Sequence, residues 1–73
     1  MIIKGNLMLG FSSIKSLGNI REIKGDLLLQ GSSITSLPKG LKVGGDLLLG
    51  GSKITKEYIL KNNKELINKC YWR

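Results

Sequence analysis

Four kinds of residue in this chain could do chemistry. Two carboxylates, Asp26 and Asp46, stand in identical Gly-Asp-Leu-Leu-Leu settings. A matched carboxylate pair is the minimum equipment for general acid/base work. Serines recur at Ser12, Ser32 and Ser52, and a hydroxyl beside a base becomes a nucleophile. Gly44-Gly45 and Gly50-Gly51-Ser52-Lys53 bring together the residue types of a phosphate cradle. One thiol, Cys70, is the remaining candidate nucleophile.

Each of these has a plainer explanation. The chain contains no His, so the commonest general base is missing and neither Ser nor Cys70 has an imidazole partner. One Cys without His cannot assemble a zinc site or a disulfide, so no metal and no cofactor is expected. The order Gly-x-x-x-x-Gly-Lys-Ser/Thr of a true phosphate loop is not present. Asp26 and Asp46 share their setting with Asn6, an amide that cannot exchange a proton in this way. A role in turns explains Asn6, Asp26, Asp46 and the three serines together. No catalytic residue is assigned, and an enzyme is not expected.

The elements that must position these residues follow from an internal repeat. Ile3–Leu17, Ile23–Leu37 and Val43–Glu57 align without gaps. The first two share ten of 15 positions and the last two share nine; typical composition gives about one by chance. Gly5, Gly25 and Gly45 open each unit, followed by Asn6, Asp26 or Asp46. Then come three apolar residues: Leu7-Met8-Leu9, Leu27-Leu28-Leu29 and Leu47-Leu48-Leu49. Short apolar runs bounded by glycine read as strands, whose side chains alternate between faces. The outer leucines of each triplet therefore point inward, and Met8, Leu28 and Leu48 point outward. Ile14, Ile34 and Ile54 return the chain to the core. Ile20 and Leu41 sit near equivalent places but differ by one residue in spacing, so the connecting corner is expected to vary.

Beyond Ile54 the pattern changes to a helical one. Thr55 is suited to be an N-cap. Ile59, Leu66 and Cys70 fall on one side, with Leu60, Ile67 and Tyr71 adjoining. Asn62-Asn63 is a candidate break. The expected fold is mainly β. It is a short right-handed β-solenoid of about 2.5 coils on a 20-residue repeat, residues 1–55, capped by a C-terminal α-helix over 56–73. The two parts form one domain.

The run Gly-Asp-Leu-x-Leu-x-Gly-Ser-x-Ile-Thr-x-Leu-Pro-x-Gly-Leu-x-Val-Gly-Gly-Asp, complete from Gly25 to Asp46, resembles the leucine-rich-repeat-like β-solenoid units of phage, prophage and bacterial proteins. The first unit departs from it with Asn6 and with Gly18-Asn19, and the third breaks off after Thr55. The resemblance implies a phage or mobile-element setting. Small basic proteins there often occlude a host machine, as anti-CRISPR proteins do.

Charge and exposed apolar residues point to partners. Twelve Lys and Arg against five Asp and Glu give a net charge of +7. Such a balance suits acidic partners and also keeps a small apolar repeat in solution. The outward column Met8, Leu28, Leu48 is a candidate protein interface. Tyr71, Trp72 and Arg73 are of the types enriched in binding hot spots. Lys4 and Lys24 share a repeat column, and Lys53, Lys56, Lys61, Lys64 and Lys69 gather toward the tail; these are candidates for nucleic acid or an acidic partner. Few coils and an uncapped first coil suggest a homodimer. No stretch is long and apolar enough for a membrane span, and no secretory leader is visible at Met1–Asn6. A cytoplasmic location is expected, that of the host for a viral product. The leading functional reading is a non-catalytic protein-interaction module that inhibits a host defence complex, one that could itself carry nucleic acid. A basic nucleic-acid-binding module and a structural solenoid fragment are the alternatives.

Overall fold

The computed structural model describes all 73 residues. The chain is a small α/β protein with parallel strands in two sheets and a short C-terminal helix. Each repeat unit gives one strand to each sheet. The first sheet contains β1 (Ile2–Ile3), β3 (Glu22–Ile23) and β5 (Lys42–Val43), in the order β1-β3-β5. The second begins with β2 (Leu7–Met8), β4 (Leu27–Leu28) and β6 (Leu47–Leu48). Register follows the repeat: Ile3 pairs with Ile23 and Ile23 with Val43, while Leu7 pairs with Leu27 and Leu27 with Leu47. Neither sheet closes on itself.

The bend between the two strands of a unit explains why Gly precedes Asn or Asp. The Asn6 Oδ1 accepts a hydrogen bond from the Asp26 N–H at 2.7 Å, and the Asp26 Oδ1 accepts one from the Asp46 N–H at 2.8 Å. These carboxamide and carboxylate groups thus link one unit to the next. A Cβ at Gly25 would collide with the Asn6 Oδ1, and one at Gly45 with the Asp26 Oδ1. Glycine is needed there so that the linking side chain fits.

The second turn carries Phe11, Gly31 and Gly51 at φ 59, 65 and 72°. This left-handed conformation suits glycine and strains a phenylalanine. Beside it, the hydroxyls of Ser12, Ser32 and Ser52 donate to the carbonyls of Leu9, Leu29 and Leu49 at 2.7, 2.8 and 2.7 Å. The third corner differs between units, as the spacing of Ile20 and Leu41 predicts. The Ile20 N–H closes a turn on the Leu17 carbonyl, whereas the Leu41 N–H closes one on Pro38.

The core lies between the sheets. Leu17, Ile23, Leu27, Leu29, Ile34, Leu37, Leu41, Val43, Leu47, Leu49 and Ile54 are buried; strand alternation accounts for Leu27, Leu29, Leu47 and Leu49 among them. In the first unit Ile3, Leu7, Leu9 and Ile14 pack on this core but are only half-buried, because β1 and β2 are edge strands.

The tail differs from expectation. The helix α1 spans Lys56–Asn62, and the Thr55 Oγ1 caps it by accepting from the Tyr58 N–H at 3.1 Å. The break at Asn62-Asn63 is present, and a 3-10 helix follows over Lys64–Lys69. The helical cap expected over 56–73 ends there. Cys70–Tyr71 form a strand, β7, which adds in parallel to β6 and gives the second sheet the order β2-β4-β6-β7. A strand here leaves the Leu47 and Leu49 side of β6 covered rather than bare: the Leu49 N–H donates to the Tyr71 carbonyl at 2.8 Å. The strands are no more than pairs of residues, and the two helices together nearly match them in extent. The content is therefore α/β rather than mainly β.

Side chains fasten the tail. Ile59 and Leu66 are buried in the core. The Tyr58 hydroxyl accepts from the Leu37 N–H at 2.9 Å, the Asn63 Nδ2 donates to the Pro38 carbonyl at 3.0 Å, and the Lys69 Nζ donates to the Gly44 carbonyl at 3.4 Å. Asn63 is fully buried and its Oδ1 has no protein partner.

Candidate functional site

Most of the groups that resemble catalytic residues are engaged in local or inter-unit bonds. Asp46 is exposed, and its N–H rather than its carboxylate is bonded, to the Asp26 Oδ1. Each repeated serine spends its hydroxyl hydrogen on a carbonyl three residues back. That is a local turn bond, not an activation by a base. Asp26 holds the next unit through its Oδ1, so its role is that of Asn6. Cys70 donates its Sγ–H to the Leu66 carbonyl at 3.3 Å. Burial pushes its thiol pKa up, which keeps it protonated and a poor nucleophile at neutral pH.

The outward column is longer than the repeat suggests. Met8 pairs with Leu28, Leu28 with Leu48, and Leu48 with Tyr71. The added strand thus brings Tyr71 into line with Met8, Leu28 and Leu48, and four candidate interface residues share one column. Met8 is 73% exposed and Tyr71 40%, while Leu28 and Leu48 are half-buried between their neighbours. Trp72 continues beyond Tyr71 and is exposed, and the Arg73 guanidinium lies 5.5 Å from the Tyr71 ring centroid. That distance is within cation–π range.

Phe11, in the turn after β2 with its ring against Gly31, is a further exposed apolar residue and is not among the expected interface residues. It is 86% exposed, although large aromatics are normally buried. It also holds a backbone conformation that its two counterparts occupy as glycines. The signal lies in the sequence: Phe11 is the one non-glycine in its column.

The basic candidates do not form one cluster. Lys4 lies in the first unit, at the open end of the stack. Lys56 and Lys61 stand on α1, and Lys64 and Lys69 on the 3-10 helix, which covers the other end. Lys53 is exposed in the turn after β6. Lys24 is engaged by Glu22 at 3.2 Å, and Lys69 by the Gly44 carbonyl. The cations that do share a concavity are others: Arg21, Lys39 and Lys42 line a surface hollow of about 440 Å³ with Ile2, Glu22 and Gly40.

No helix is long and apolar enough to cross a membrane. Comparison with protein-family models, with curated proteins and with solved structures gives no match for this chain.

Proposed function

We propose that this chain is a non-catalytic protein-interaction module built as a short right-handed β-solenoid. The single observation that carries the reading is the outward apolar column Met8, Leu28, Leu48, Tyr71, exposed at Met8 and Tyr71 and half-buried between them. Contiguous exposed apolar residues on a small protein mark an interaction surface. Strained Phe11 on the same unit as Met8 adds to it, because strain in a small fold persists where it serves a function. The repeat register shared by both sheets supports the solenoid.

The partner is a protein with an apolar patch and an acidic rim, which the net charge of +7 would steer into contact. In the phage setting that the repeat resembles, such a module acts by occlusion, as an anti-CRISPR-like inhibitor of a host defence complex. Two copies pair through the edge strand β2, and the module works in the cytoplasm.

The test is capture of a specific host protein from nuclease-treated lysate by tagged wild-type chain and by Met8→Asp. Met8 is exposed, so the variant folds. Capture that survives nuclease and falls at least about tenfold in Met8→Asp, roughly 1.4 kcal/mol, supports the reading. Capture that nuclease abolishes, or that Met8→Asp leaves unchanged, refutes it.

A further inference from the structure

The third corner of the repeat, where the units differ, gathers charge that the repeated columns do not. Arg21 precedes β3, Lys39 sits in the Pro38 turn, and Lys42 begins β5. Together they line the hollow of about 440 Å³ described above. An adjoining, shallower hollow of about 650 Å³ shares Ile2, Arg21 and Lys39 with it. The two form one extended concavity rather than a pocket for a single small ion.

The backbone fixes where these cations stand. The Arg21 N–H donates to the Met1 carbonyl at 2.8 Å, and the Arg21 carbonyl accepts from the Lys42 N–H at 3.1 Å. Arg21, just before β3, is thereby tied to Lys42, which begins β5 and pairs in register with Glu22. Lys39 and Gly40 come to the same place because Leu41 closes its turn on Pro38, with Gly40 at φ 74°. Their own N–H groups donate to no backbone carbonyl.

The one carboxylate in the hollow is Glu22, and Lys24 engages it at 3.2 Å. No acidic group pairs with Arg21, Lys39 or Lys42. Three cations with no acidic partner line an open concavity, one of them a guanidinium suited to two-point contact with phosphate.

We propose that this corner is a binding site for the phosphodiester backbone of a nucleic acid. The site is separate from the Met8 column and does not rest on the protein-interaction reading. Phosphate contacts of this kind position a nucleic acid without reading its bases.

The experiment measures binding of a labelled DNA duplex, and of one of its single strands, across a salt series. Four chains are compared: wild type, Arg21→Ala/Lys39→Ala/Lys42→Ala, the control Lys15→Ala/Lys53→Ala/Lys61→Ala, and Glu22→Gln. The two triple variants carry the same net charge, and all their substituted residues are exposed. The site predicts that the first triple loses at least about tenfold in affinity. Its log–log salt slope should become shallower by about 2–3, as expected for three lost phosphate contacts. The control triple should keep its affinity within about twofold, and Glu22→Gln should bind more tightly. Absence of binding at low salt, an equal loss in both triple variants, or no gain in Glu22→Gln would overturn the proposal. Circular dichroism of each variant guards against misfolding. A folded Met8→Asp variant that still binds the duplex shows that the two surfaces are independent.

Discussion

Phe11 shows how one residue can depart from a repeat at a measurable energetic penalty. Its φ of 59° is close to those of Gly31 at 65° and Gly51 at 72°, and a non-glycine held there loses about 1–2 kcal/mol. The ring is 86% exposed, so its removal forfeits little burial. Phe11→Gly should therefore raise stability by about 0.5–1 kcal/mol after the added freedom of glycine in the unfolded chain. In a chain of this length that is a rise in melting temperature of about 2–8 °C. Thermal unfolding checks it, and an unchanged or lower midpoint would show that the ring contributes to packing. If Phe11 contacts a partner, the same variant binds less well while melting higher. Comparing columns shows in the sequence that Asn6, Asp26 and Asp46 share a structural setting, but the expected local turn bond is not what forms: Asn6 and Asp26 bond the backbone of the next unit, 20 residues on. Arg21, Lys39 and Lys42 are not legible as a site. They stand in the corner where the alignment loses its register, and only the differing turns on Leu17 and Pro38 bring them together.

At the scale of elements, β2, β4 and β6 are expected from the sequence; the first-sheet strands β1, β3 and β5 and the final strand are not. β2, β4 and β6 declare themselves by Leu-x-Leu alternation between glycines, whereas the two-residue strands β1, β3 and β5 have no such run. Cys70-Tyr71 has no such alternation, and its pairing with Leu47 and Leu48 falls outside the repeat spacing. Its apolar residues also continue a helical stripe, which is why the sequence alone extends the helix through them. Tertiary contact decides otherwise, because a strand there pairs with the edge of β6 and leaves Tyr71 in the outward column. Gly50 makes this contact testable. A Cβ at Gly50 would collide with the Arg73 backbone, whereas one at Gly10, in the same repeat column, would meet the Gln30 carbonyl at 3.3 Å. Gly50→Ala should thus destabilise by about 1–3 kcal/mol, the usual range for overpacking, and Gly10→Ala by under about 1 kcal/mol. Denaturant midpoints of the two variants compare them directly. Equal midpoints would mean that β7 is not held against β6 in solution.

The whole molecule is nearly as deep as it is wide, 25 × 24 × 20 Å, and its two ends are unlike. The tail covers one end with Ile59 and Leu66; at the other, Ile3, Leu7, Leu9 and Ile14 remain half-buried behind β1 and β2. A core this small leaves little stability in reserve, and pairing two copies through the open end would complete its burial. Such a dimer would have twice the 8.0 kDa mass of one chain. The first unit, from Met1 to Ile20, contains Lys4 and Lys15 but no Asp or Glu. Pairing therefore brings like charges together, and added salt should strengthen it by screening, opposite to the salt response of nucleic-acid binding. Light scattering at high micromolar concentration, in low and high salt, reads both the mass and its trend. A monomer under all conditions would remove self-association from the reading.

The tail grips the corner before the third unit as well as the third unit itself, through Tyr58 on Leu37 and Asn63 on Pro38. A duplication of Arg21–Gly40 would carry that corner with it. The lengthened chain would present to Tyr58 and Asn63 the same Leu-Pro surface that they already fit. Lineages of such a chain could therefore gain or lose whole units by unequal crossing within the repeat, and change the size of every outward column, without redesigning the end that closes the stack.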